Sequence, residues 1–144
     1  MTRASLQSSL IVLTCGAALA LATPSMAATV NLKADLKASS EVPPNESQGT
    51  GSVTATFDTD SYKLSWKGTV SGLSGPVTAA HFHTADVGRN GAVAVAIIGA
   101  DKGAFEGSAT LTDTQAEDLM AGKWYVNIHT AAYKAGEIRG QVTR

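Results

Sequence analysis

Between Val30 and Val142 the apolar residues fall at every second position, in short runs that end in glycine, proline, aspartate or serine. Val30, Leu32, Ala34 and Leu36 alternate with Asn31, Lys33, Asp35 and Lys37, and Val53, Ala55 and Phe57 repeat the pattern. Side chains of a strand point to opposite faces in turn, so this period belongs to strands buried on one face only. After the turn Asp58–Ser61 the alternation resumes at Tyr62, Leu64 and Trp66, which predicts a hairpin over 51–69. Further strands are predicted at Val77–Thr84, Ala92–Ile98, Ala104–Leu111, Lys123–Thr130 and Gly136–Val142. The stretch Glu41–Glu46 carries Pro43 and Pro44, which donate no ladder hydrogen bond, so it reads as a loop or an edge. One helix interrupts the series. Thr114 to Glu117 reads as its capping box, Ala116, Leu119 and Met120 as its apolar side, and Gly122 as its stop. Many short strands and one connecting helix predict an all-β, antiparallel sandwich or barrel in one domain over 28–144.

The N-terminus obeys different rules. Met1–Ser9 is polar with one positive charge, Arg3; Leu10–Ala22 is almost wholly apolar; Ser25 and Ala27 place small residues before a cleavage point. That order predicts a cleavable signal peptide over 1–27, and therefore a secreted or periplasmic protein. The apolar run falls short of the ~20 residues that cross a bilayer, so no retained membrane span is expected. Cys15 is preceded by Thr14 and followed by more apolar residues, which argues against lipid attachment there.

Cys15 is also the only cysteine, so residues 28–144 have none. Disulfides, thiolate nucleophiles and cysteine-held zinc are excluded from that part. Without Arg3 it carries 10 basic and 12 acidic residues with no basic cluster, which argues against a nucleic-acid partner.

The three histidines are the most informative side chains. His81 and His83 stand at i and i+2 of a predicted strand, hence on one face, where two imidazoles can reach one metal ion. His129 follows Tyr125 and Asn127 on the less apolar face of another predicted strand. Glu137 and Arg139 share one face of the last strand, where a surface or partly buried ion pair is the plain reading. Trp66 and Trp124 read as core, and Asp113, Glu117 and Asp118 as a solvated helix face. Two polar residues on a wet face would give the same HxH spacing, so spacing alone leaves the histidines' convergence open.

The ordered motifs EVPP (Glu41–Pro44), SGLSGPVTAAHFH (Ser71–His83), WYVNIHT (Trp124–Thr130) and GEIRGQV (Gly136–Val142) make the chain resemble the CHRD domain, a module named for chordin, over about residues 30–143. The resemblance implies an immunoglobulin-like or Greek-key β-sandwich. It also implies histidines at the positions of His81, His83 and His129. In chordin the repeats belong to a growth-factor-binding protein, a role that does not transfer to one short domain. An HxH pair plus a further histidine is similar to part of the copper site of copper–zinc superoxide dismutases. Their extra histidines, zinc ligand set and structural disulfide are missing here, which leaves a copper-only site open.

Two functions of different class follow. In the first, His81, His83 and His129 hold a redox metal, copper ahead of iron or zinc by the preference of imidazole ligands. A small oxygen species such as superoxide is then the substrate, Arg139 attracts the anion, and Glu137 orients Arg139 or a ligand histidine. In the second, the domain is a non-catalytic module for an extracytoplasmic protein partner and its histidines are structural. No G-x-S-x-G motif supports a hydrolase. Oligomeric state is left open by the sequence.

Overall fold

The structure is a computed structural model, and it describes residues 28–144; the expected signal peptide lies outside the described residues. Eight strands and one helix follow in the order β1 (Thr29–Lys37), β2 (Thr50–Asp58), β3 (Lys63–Ser71), β4 (Val77–Thr84), β5 (Ala92–Ala96), β6 (Ala104–Thr110), α1 (Asp113–Met120), β7 (Trp124–Thr130) and β8 (Ile138–Gln141). All pair antiparallel in one sheet of order β5-β4-β7-β8-β1-β2-β3-β6. Both strands of the expected hairpin are present, and β4 has the predicted limits.

The sheet has two four-stranded halves joined at a narrow seam. β1 and β8 share the single pairing Lys37↔Arg139, reinforced by a bridge between Lys33 and Thr143. The halves face one another over a common core: Trp66 on β3 meets Phe82 on β4 edge-to-face at 5.2 Å, and Phe82 meets Trp124 at 5.7 Å. Phe82 and Trp124 are buried, as are Leu36, Leu64, Val126, Ile128 and Ile138 around them. Each such side chain contributes about 1.5–3 kcal/mol by leaving water. Phe82 also fixes the site, because its inward anchorage turns His81 and His83 outward.

The helix begins two residues earlier than the sequence reading placed it. Thr112, not Thr114, is the N-cap: its Oγ1 accepts from the Gln115 N–H at 3.3 Å while Gln115 Oε1 accepts from the Thr112 N–H at 3.0 Å. Both threonines satisfy the T-x-x-E/Q pattern. The earlier box also lets the Gln115 amide donate to the Ala94 carbonyl on β5 at 3.1 Å, a tertiary contact invisible in the local pattern.

Candidate metal centre on the roofed face

Cross-strand register brings the histidines together. β4 lies beside β7, with His81 opposite Asn127, His83 opposite Tyr125 and Ala79 opposite His129. Directly paired residues share a face, so all three imidazoles stand on the outer face of this half. Small Ala79 opposite His129 leaves room for His129 to lean along the diagonal to His81. The ring centroids of His81 and His129 lie 5.2 Å apart, and those of His81 and His83 5.4 Å apart. One ligand nitrogen from each histidine lies within 4.8 Å of the other two.

Second partners fix the rings. The Nδ1–H of His83 donates to the Gly91 carbonyl at 3.0 Å, and that of His129 to the Lys134 carbonyl at 3.0 Å. Carbonyls only accept, so both neutral rings keep the lone pair on Nε2. The Nε2 of His129 is 3.3 Å from Nδ1 of His81, while the buried Nε2 of His83 has no hydrogen-bond partner. Burial, and secondly the neighbouring His129, lower the pKa of His81. Burial is also the leading cause for His83, joined by the charges of His81, His129 and Arg139 against the opposing Gly91 bond. Both rings are thereby held in the neutral form that binds metals.

The rest of this outer face is polar and covered. Glu41, Asn127, Thr130, Glu137 and Arg139 are all buried. Two segments roof them, 41–49 and 85–91, and they meet where the Asn90 amide donates to the Val42 carbonyl at 2.9 Å. Glu137 accepts from Ser47 Oγ at 2.6 Å, Ser74 N at 2.7 Å, Ser74 Oγ at 2.7 Å and Thr130 Oγ1 at 2.5 Å. Burial pushes its pKa up, but these bonds outweigh burial and hold the carboxyl below its usual range. Glu41 has the opposite balance. Burial raises its pKa to about 7, against the opposing influence of Arg139, its own loop and the Asn127 amide, which donates at 2.8 Å and 3.0 Å.

Glu137 and Arg139 share the face, as expected, but do not pair. The bonds of Glu137 go to Ser47, Ser74 and Thr130, and none goes to Arg139 or a histidine. Arg139, 2 % exposed, donates to Asn90 Oδ1 at 2.9 Å and to the Arg89 carbonyl at 2.5 Å. It therefore has no open surface on which to collect an anion from solvent, the role the sequence reading gave it. The expected ion pair fails for a physical reason: Ser47 of segment 41–49, Ser74 of the β3–β4 connection and Thr130 on β7 together occupy the Glu137 carboxylate.

Sequence reasoning missed Tyr125, Asn127, Glu41 and the loop 85–91. Tyr125 and Asn127 carried a signal, being polar positions on the same face as His129 between buried Val126 and Ile128. Asn90 and Gly91 carried none. A cleft of about 860 Å³ between Lys67, Phe105 and Ile98 lies away from the histidines, whereas a groove of about 380 Å³ beside Ala96, Ile98 and Asp101 opens onto His81. Chemistry and the orphaned nitrogen, rather than cavity size, mark the site.

Comparison with known proteins adds one match. The family model of the CHRD domain matches residues 32–142. No curated protein and no solved structure matches the chain. Among the described residues no helix is long and apolar enough to cross a membrane.

Proposed function

The chain belongs to the CHRD domain family, and from that premise we propose that it is an exported metal-binding protein whose His81, His83 and His129 hold one redox ion, copper in the first place. The observation that carries this reading is the buried Nε2 of His83, which has no partner yet shares a cluster with two further imidazoles. A buried polar atom left unpaired costs about 1–3 kcal/mol, which a coordinate bond would relieve. Two nitrogens on one tetrahedral ion at ~2.05 Å are about 3.3 Å apart. The His81–His129 separation of 3.3 Å fits that span.

Donor chemistry favours copper. Three neutral imidazoles without thiolate suit copper, zinc, iron or nickel, and copper(II) binds nitrogen ligands most tightly. The carbonyls behind His83 and His129 orient the rings and raise their basicity. Copper held by His81, His83 and His129 would supply one-electron exchange with a small oxygen species such as superoxide. The half-buried histidines remain reachable by a small solute, and the groove beside His81 gives it a path. Export is supported by the N-terminal pattern.

The test is the metal content of the protein purified from its export compartment without chelator or affinity tag. About one copper per chain, lost on His81→Ala, is expected. Metal-free protein that takes up no added copper(II) would return the domain to an interaction module with structural histidines.

A further inference from the structure

We propose that Arg139 is a positioning residue for His83 and that its charge sets the relative affinity of the site for copper(I) and copper(II), acting through the ring of Tyr125 and through the loop Ala85–Gly91. The inference rests on the three-histidine reading and deepens it.

Three planar groups form a stack on this face. The Arg139 guanidinium carbon lies 3.4 Å from the centre of the Tyr125 ring. The same ring stacks on His83, with centroids 4.8 Å apart and planes within 5° of parallel. Tyr125 and Arg139 are 3 % and 2 % exposed, so water does not screen the stack as it would on an open surface. Such cation–π contacts are strongest where the cation is desolvated.

A second route runs through the backbone. Arg139 grips the loop at Asn90 Oδ1 and the Arg89 carbonyl. The next residue, Gly91, donates its N–H to the Tyr125 hydroxyl at 3.2 Å and accepts from Nδ1 of His83 at 3.0 Å. Position 91 admits only glycine, because a Cβ there would collide with the Thr84 carbonyl. The carbonyl that fixes the His83 tautomer is thus held by the arginine that stacks on the neighbouring ring.

No carboxylate among the described residues lies within ion-pair distance of Arg139; Lys123–Asp118 is the contact that meets that criterion. Its charge is therefore not cancelled at contact. Measured through the Tyr125 ring centre, the two spans put it no more than about 8 Å from the imidazole. At ~8 Å and an effective dielectric constant of ~20, one unit charge shifts an equilibrium involving another by about tenfold or more. A fixed positive charge disfavours the more positive state of an ion held by His83, so it favours copper(I).

Metal-free wild-type protein, Arg139→Met and Arg139→Lys are titrated separately with copper(II) and copper(I) against chromophoric chelators, folding being checked by circular dichroism. Arg139→Met removes the charge. It should raise the ratio of copper(II) to copper(I) affinity about tenfold, equivalent to ~59 mV for a one-electron couple. Arg139→Lys keeps the charge but loses the planar stack and the two-point grip. Both affinities should fall together about tenfold, with their ratio held within about threefold. An unchanged ratio in folded Arg139→Met would overturn the charge effect, and wild-type affinities in Arg139→Lys would overturn the positioning role. Should Arg139→Met fail to fold, Arg139→Gln, which also removes the charge but keeps a hydrogen-bonding amide for the loop, takes its place with the same expected rise of about tenfold in the ratio. Failure of the wild-type protein to bind either ion would count against the three-histidine reading itself, an outcome distinct from those of the variants.

Discussion

The two outer faces of the sheet are built from the same alternation and end differently. On the half formed by β1, β2, β3 and β6, outward residues such as Lys33, Ser52, Thr54, Lys67 and Glu106 are exposed to water. On the half formed by β4, β5, β7 and β8, outward residues include a carboxylate and a guanidinium at 0 % and 2 % exposure, roofed by two segments. Withdrawing charges from water opposes folding unless hydrogen bonds replace the lost solvation. The core alone would be served by a bare polar face on either side. The dense bonding around Glu137, Asn127 and Arg139 therefore holds something beyond the core in place, and the histidines lie among these residues.

The contrast is broken most severely at Glu137. Glu137→Ala leaves donors from Ser47, Ser74 and Thr130 facing an empty space. A loss of about 3–5 kcal/mol is expected from denaturant unfolding. A loss below about 1 kcal/mol would mean that the roof is ornamental to stability.

Glu41 gives the next effect, read through pH. Its pKa is about 7 in the folded protein against an ordinary 4.5, so the folded state holds the proton more tightly than the unfolded chain. The stability this provides is complete below pH ~4.5 and is lost as pH rises through ~7. Glu41→Gln keeps a neutral group at the Asn127 amide at every pH. It should match the wild type near pH 5 and exceed it by about 1–2 kcal/mol near pH 8, a discounted value for a group with some access to water. Parallel pH profiles for the two proteins would contradict the assignment.

The smallest effect belongs to the bare face. Thr54→Ala, exposed on β2, should change unfolding free energy by no more than about 0.5 kcal/mol and leave copper binding untouched. A large effect there would erase the distinction between the faces.

The half that sequence described well is the bare one, where each residue's fate follows from its own position in the alternation. Leu32, Ala34 and Leu36 go in because Lys33, Asp35 and Lys37 go out. The roofed half depends on contacts between residues about 50 to 90 positions apart, such as Asn90 with Arg139 and Ser47 with Glu137. No period carries that information. The histidine pair was legible because i and i+2 share a face on any strand. The approach of His129 was not, since it required β7 to lie beside β4 in a register that opposes His129 with Ala79. Thr112 and Thr114 show the same limit on a small scale: two equivalent local signals were separated only by the bond from Gln115 to β5.

A three-histidine centre requires that three imidazoles meet on one ion. Electron paramagnetic resonance of the protein loaded with one equivalent of copper(II) tests it most directly, by counting coupled nitrogens. Couplings to three nitrogens, reduced to two in His83→Ala, are the predicted result. A spectrum without histidine nitrogen coupling, or one unchanged by His83→Ala, would contradict the account.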